Sequence, residues 1–532
     1  MIDERSLLLD ARQSARQLRR AGVTGSLFLV AMAALPTIAF AQTPAPDATP
    51  PAGVAQPVPP DAVPPAPVPV PAPTPPPTDV LTHVQESDQR SRITDRRLDL
   101  LEEKLDKAAK ESPSIGADEK GFLLRSADRR SFVQLRGLLQ IDTRWFLGND
   151  TVSNNVSFND SDSILIRRFR PEIGGTLVGL ADFLFSPDFA GAATTVFDAY
   201  IDVHPFPWLR LHVGKFKTPL GLERLQSEGA YPFIERALDQ NLTPGRDIGA
   251  ALQGDIAGGI VNYSVGVYDG FPDNANNSGG ARPDGDTDHA KDFIGRLFFQ
   301  PFKAPGLADL GSLGVGIAAS TGNRKGLPGT PLTPTFTSAG QQTIFSFLPA
   351  TATLSATFVH LRETHLNPQF FYYQGQVGVL AEYVWVKQGV QRQNATADLT
   401  HQAYHVSASY AFGGRPSYDG VIPDQSFDPA TGHLGALEIA VRYDALKLDS
   451  DSFDRSTPTA SYANGFANPT ASVSKAQGWT GAVVYSPSRT LRFYLNFEQT
   501  FFKDGGAADA TTKLPTDRKT ENLLFARAHV KF

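Results

Sequence analysis

From Gly121 to Phe532 the side chains of this sequence alternate between apolar and polar, in segments of about ten residues, the period of transmembrane barrel strands. In Val133–Trp145 one face reads Val133, Leu135, Gly137, Leu139, Ile141, Thr143 and Trp145. The other face reads Gln134, Arg136, Leu138, Gln140, Asp142 and Arg144. Successive strand side chains point to opposite faces, so this period predicts β-strands. The same alternation recurs in Thr195–His204, Glu438–Asp444 and Leu491–Glu498. It returns in the last stretch, where Leu524, Ala526, Ala528, Val530 and Phe532 alternate with Phe525, Arg527, His529 and Lys531. A dry interior does not tolerate unpaired charge. The charged faces therefore look either to solvent, as in a soluble sandwich, or into the wet lumen of a membrane barrel.

The N-terminus favours the barrel. Arg12, Arg16, Arg19 and Arg20 precede an apolar stretch, Val23–Leu35, and Ala39-Phe40-Ala41 supplies a small-residue cleavage site. That is the layout of a secretory signal peptide, expected over residues 1–41. The apolar stretch falls short of the roughly 20 residues a spanning helix needs, and no other run of that length follows. An exported chain of this kind resides in a membrane only as a closed barrel. There is no Cys, which excludes disulfides and thiolate metal sites. A net charge of −6 is not the footprint of a nucleic-acid binder.

Residues 42–78 hold 16 prolines among Ala and Val. Such a segment cannot bury a core and is expected to be an extended or disordered periplasmic spacer. Residues 79–112 then turn charged and, as far as Glu111, lack Pro and Gly. Leu98, Leu101, Leu105 and Ala108 fall at heptad spacing. The pattern predicts a short coiled-coil helix that gathers several copies; a lone solvated helix is the plainer reading.

Residues 121–532 make up the expected barrel. Long Gly-, Pro-, Asp- and Asn-containing connections (Phe271–Ala290, Thr321–Thr343, Gly413–Gly435, Asp449–Lys475, Lys503–Thr520) are expected on one side. Tight turns such as Pro205-Phe206-Pro207 and Ser486-Pro487-Ser488 belong on the other. At roughly 25 residues per strand and connection the stretch accommodates some 16 antiparallel strands, a size that leaves an aqueous channel. The final Phe532 resembles the signal by which outer-membrane barrels are recognised for assembly.

Six motifs in order make the stretch resemble the bacterial phosphate-selective porins of the O and P type. They are I-R-R-F-R-P-E-I-G-G-T (Ile166–Thr176), V-F-D-A-Y (Val196–Tyr200), G-K-F-K-T-P-L-G-L-E-R-L (Gly214–Leu225), F-I-E-R-A-L (Phe233–Leu238), P-G-R-D-I-G (Pro244–Gly249) and E-I-A-V-R-Y-D (Glu438–Asp444). The resemblance implies an outer-membrane homotrimer of 16-stranded barrels, with a loop folded inward to make a basic, anion-selective constriction. It places Arg167 and Arg168 as a pore-facing pair, Asp198 near the constriction, and Arg224 where those porins carry a lysine. Strand parity puts Arg136, Arg168, Arg170 and Asp198 on the lumen face. It sets Arg167 beside Phe169 and Ile173, so Arg167 needs a bulge or a rim position to reach water. Lys215 and Lys217 share the parity of Leu211 and Val213, and reach the pore only if their strand ends before them.

The sequence also departs from those porins. Leu138 stands where they carry an arginine. Between Thr321 and His360 the only bases are Arg324 and Lys325, and Ser417–His433 holds three Asp and no Lys or Arg. Scaffold features thus carry over further than phosphate selectivity does.

No G-x-S-x-G, H-E-x-x-H or G-x-x-x-x-G-K-[ST] motif is present, and the ten His are dispersed. The expectation is no enzyme, no cofactor and no metal site. Three readings remain: a channel with weak to moderate preference for inorganic anions, a pore for other small polar solutes, and a structural outer-membrane protein linked to the cell wall. In all of them the outer-membrane lipid surrounds the barrel and the N-terminal segment lies in the periplasm.

Overall fold

A computed structural model describes residues 78–118, 121–147, 162–191, 194–270, 289–304, 306–307, 310–454 and 465–532. The expected signal peptide, and the spacer up to residue 77, lie outside these residues. A helix spans Thr78–Glu111. Its Leu98 and Leu101 are exposed; the side chains of Leu105 and Ala108 are outside the description.

Among the described residues, sixteen antiparallel strands close a barrel. They run from Phe132–Phe146 and Ser163–Leu177 through to Leu491–Ala508 and Glu521–Lys531. Each pairs with its neighbour in sequence. The last pairs with the first, from Leu523 opposite Phe146 to Lys531 opposite Leu138. A preceding hairpin, Ser114–Asp118 with Gly121–Arg125, extends the first strand's free edge through Phe122 opposite Leu135.

Burial decides between the two architectures left open by alternation. On the first strand Leu135, Ile141 and Trp145 are exposed, while Gln140, Asp142 and Arg144 between them are buried. Charges inside and apolar residues outside is the membrane-barrel arrangement. The wall is uneven in height: Ala181–Asp188, Val261–Tyr268 and Asp292–Phe299 have 8 residues each, whereas Phe358–Gln374, Val377–Arg392 and Ala395–Phe412 have 16 to 18.

Among the described residues, three connections fold into the lumen. Residues 218–245 and 326–357 enter from the rim opposite the C-terminus. Residues 413–435 enter from the C-terminal rim itself. Gly413–Gly435 was expected with the other long loops, and its position is a correction. Twelve barrel strands lie between Phe132 and Phe412, and an even number of crossings brings the twelfth connection back to the rim of the short turns.

Part of the lumen is dry. Phe336, Ile344, Phe345 and Phe347 of the 326–357 segment pack with Leu238 and Leu242 against wall residues such as Val384, Leu399, Leu446 and Phe502. Each fully buried side chain of this size stabilises by roughly 1.5–3 kcal/mol. Enough of them offset the entropy of ordering a long connection inside the barrel.

Candidate functional site

The 218–245 segment lies between two chemically different walls. It opens on Gly221, whose φ of 86° suits glycine, and a short helix, Leu222–Leu225. The free N–H groups of Leu222 and Glu223 donate to the Glu382 carboxylate from the tall wall at 2.6 and 2.9 Å, satisfying donors that a helix start leaves open. Ala237 N–H donates to Glu223 at 3.0 Å and Leu238 N–H to Asp444 at 3.2 Å. Arg442 donates to the carbonyl of Glu235 at 2.8 Å and pairs with Asp444 at 3.2 Å, Glu498 at 3.3 Å and Glu223 at 3.6 Å. Tall-wall carboxylates therefore hold the backbone of the segment.

On the opposite wall the signs reverse, and arginines hold the carboxylates of the segment. Glu235 accepts from Arg167 at 2.8 and 3.2 Å and from Arg144 at 3.2 Å. Glu228 pairs with Arg168 at 3.2 Å, Arg170 at 3.6 Å and Arg236 at 3.1 Å. Burial opposes ionisation of Glu228, yet Arg168, Arg236 and Arg170 outweigh it and hold the carboxyl well below its usual range. Glu235 is lowered in the same way, against burial, chiefly by Arg167.

Arg167 reaches the lumen through a bulge. Gln140 faces Arg168 while Ile141 faces Ile166, so Arg167 is the extra residue. Arg168 also donates to Gln140 at 2.6 Å. Arg170 binds Asp188 at 2.6 Å, and its guanidinium lies 3.4 Å from the centre of the Phe197 ring. Arg246 packs over the same ring at 3.7 Å and grips Asp198 with two hydrogen bonds, at 2.8 and 3.0 Å. Phe197 joins them because a second bulge, between Ser186 and Pro187, turns it inward from the apolar face that parity gave it. Arg136 pairs with Glu172 at 3.3 Å nearer the C-terminal rim. Arg224 lines the same cleft as Arg167, Arg168 and Arg236, about 510 Å³ of open space, and donates to Thr243 at 2.8 Å and to the carbonyl of Gln240. Lys217 donates to the carbonyls of Leu225 and Gln226, at the end of its strand. Leu138 is buried on the lumen face.

The arginine wall is the less buried of the two. Arg136 keeps 35% of its side chain exposed and Arg167 16%, while Arg144, Arg168 and Arg170 are buried, as are Arg442 and Glu498 on the tall wall, at 1% and 3%. Six arginines (144, 167, 168, 170, 236 and 246) meet the carboxylates of Glu228, Glu235, Asp188 and Asp198, which leaves this wall with a positive excess.

Parity and motif matching had singled out Arg136, Arg167, Arg168, Arg170, Asp198 and Arg224. The cluster also needs Arg144, Glu228, Glu235, Arg236 and Arg246. Arg144 shares the parity of Arg136. Glu235, Arg236 and Arg246 lie inside the F-I-E-R-A-L and P-G-R-D-I-G motifs, so a signal for them was present. Glu223, Asp239 and His405 place donor atoms within 4.8 Å of one another, a spacing that suits a cation. Asp239 is already bound to His405 at 2.9 Å and to Gln240 at 3.1 Å, and Glu223 to Ala237 N–H.

A sequence profile described as phosphate-selective porin O and P matches residues 133–532, the whole barrel from its first strand. The chain belongs to this family. The porin is thus an outer-membrane channel protein. Solved structures similar to it include the outer membrane channel DcaP of Acinetobacter baumannii, at 12% identity over 77% of this chain and 99% of that one, with a TM-score of 0.46. An anion-selective porin from Comamonas acidovorans matches at 12% identity over 76% and 100%, with a TM-score of 0.44. The trimer form of OmpT from Vibrio cholerae matches at 11% identity over 76% and 99%, with a TM-score of 0.42. No curated protein sequence matches the chain.

Proposed function

We propose that the porin is a water-filled diffusion channel with weak to moderate preference for inorganic anions. The observation that carries this reading is the positive excess on the less buried wall of the constriction, where six arginines meet four carboxylates. Clusters of Arg select anions, and a local excess dominates because distant charges are screened over roughly 8 Å at physiological salt. Each of these arginines is already engaged by a carboxylate, so a passing anion meets a moderate field rather than an empty cage. Weak preference follows, without a tight phosphate site. The test is the reversal potential of single channels in a potassium chloride gradient. Chloride over potassium is expected, and preference for potassium would overturn the reading.

The assembled form is a homotrimer with the helix in the periplasm. A solitary Thr78–Glu111 helix leaves Leu98 and Leu101 in water, and a parallel bundle of three would cover them.

A further inference from the structure

The 413–435 segment carries only negative charge between Ser417 and His433, and it enters the pore from the C-terminal rim. Its tip is fixed inside. The Tyr418 hydroxyl donates to the carbonyl of Leu222 at 2.7 Å, Gln226 donates to the Tyr418 carbonyl at 2.7 Å, and the Tyr418 ring stacks on Phe371. Three residues on, Arg492 donates to the carbonyl of Val421 at 3.1 Å and also to that of Gly229, tying the segment to the 218–245 insertion. Gly420 has a φ of 101°, and a Cβ there would stand 3.0 Å from Ala230 Cα. Asp419 sits between these anchored neighbours and is exposed.

Other charges share this mouth. Lys531 is exposed and donates to Ser227 of the insertion at 2.9 Å. It lies within electrostatic reach of Glu172, Arg136, Arg492 and Asp419. Three cations, Lys531, Arg136 and Arg492, thus face two carboxylates, and without Asp419 the local cationic excess would be larger.

We propose that Asp419 is a selectivity-determining residue, a fixed carboxylate at the C-terminal mouth that offsets part of the local cationic excess and limits the porin's preference for anions. The proposal rests on the anion-channel reading for its baseline, but its sign stands alone: removing this charge moves selectivity towards anions whatever the starting point. The channel has two stages in series, a basic constriction and a mouth whose positive excess Asp419 reduces.

The experiment compares reversal potentials in a potassium chloride gradient for the full-length porin, Asp419→Asn, Asp419→Lys and Asp424→Asn. A unit charge about 8 Å from the ion path in a water-like dielectric, screened over about one Debye length, changes the local concentration of each ion about 1.4-fold, in opposite senses for chloride and potassium. Asp419→Asn is therefore expected to raise the chloride-to-potassium permeability ratio about twofold, and Asp419→Lys further. Asp424 is exposed on the same segment, but its N–H bonds Gly413 at the segment's base and its carboxylate faces Arg415 at 3.6 Å. Its substitution is expected to leave the ratio unchanged. Equal folded yield by heat-modifiable migration controls for assembly. An unchanged ratio in folded Asp419→Asn and Asp419→Lys overturns the proposal, as does an equal shift in Asp424→Asn. If the unmodified porin prefers potassium while Asp419→Asn still shifts the ratio towards chloride, the anion-channel reading falls and the role of Asp419 stands.

Discussion

Phe532 closes the barrel on Gly137. The two residues exchange backbone hydrogen bonds, Gly137 N–H to Phe532 O at 2.8 Å and Phe532 N–H to Gly137 O at 3.1 Å. The phenyl ring occupies the space above the glycine, so that a Cβ on residue 137 would stand 2.7 Å from the ring. The ring also meets Phe122 of the preceding hairpin edge-on, at 6.5 Å. Seam, terminal aromatic and hairpin therefore converge on one point of the rim. Deleting Phe532, or Phe532→Asp, should sharply reduce folded, heat-modifiable protein in the outer membrane, and Gly137→Leu should do so by displacing the ring. Normal yields after all three changes would show that the seam closes without this contact.

Glu235 is shared by Arg144 and Arg167, and all three are largely buried. Removing one partner of a buried ion pair costs about 3–5 kcal/mol. Glu235→Gln should lower the thermal midpoint of the barrel while raising its chloride preference, because a carboxylate leaves the arginine wall. A thermal scan and a reversal-potential measurement on one preparation check both. A fall in chloride preference would contradict the charge balance derived for this wall.

Arg442 faces Glu223, Asp444 and Glu498 from within the tall wall and is almost fully buried. Arg442→Met leaves three carboxylates without their guanidinium, again at about 3–5 kcal/mol, and removes the donor to the Glu235 carbonyl. The expected outcome is a lower unfolding temperature together with noisier single-channel current as the 218–245 segment loosens. A quiet channel of unchanged stability would show that the other anchors suffice.

Arg224 and Lys325 make a contrasting pair. Arg224→Glu inverts a charge inside the constriction cleft and should abolish or reverse chloride preference. Lys325→Glu, exposed beyond the arginine cluster at the end of its strand, should change it little because of screening. Micromolar phosphate should not block chloride current through the unmodified porin. Block at that level would mean that the arginines release their carboxylates to phosphate.

Removing residues 79–112 should weaken but not abolish the trimer, with barrel walls supplying the remaining contact. Native mass measurement of both forms is the check. A monomeric full-length porin would refute the trimer and the bundle together.

The period-two pattern determined which faces look to lipid and which to the lumen, because side-chain alternation along a strand is local and needs no partner. It sufficed to set Arg136, Arg168, Arg170 and Asp198 inside and Leu135 and Trp145 outside. Length and turn spacing sufficed for sixteen strands. Tertiary structure alone decided the rest. A bulge is defined by the ladder of the neighbouring strand, so the paired Arg167 and Arg168 left open whether a bulge or a rim position brings Arg167 to water, and nothing local showed that Phe197 turns inward. The strand Val377–Arg392 is apolar on both faces, with Val384 and Val386 inward; that reads as a lumen wall only once Phe345 and Leu242 are seen to pack on it. The side on which residues 413–435 lie depends on how many crossings precede them, a property of the whole chain. And the moderate field of the constriction is a balance of pairs such as Arg167 with Glu235, 68 residues apart in sequence, that only the folded barrel brings within hydrogen-bond reach.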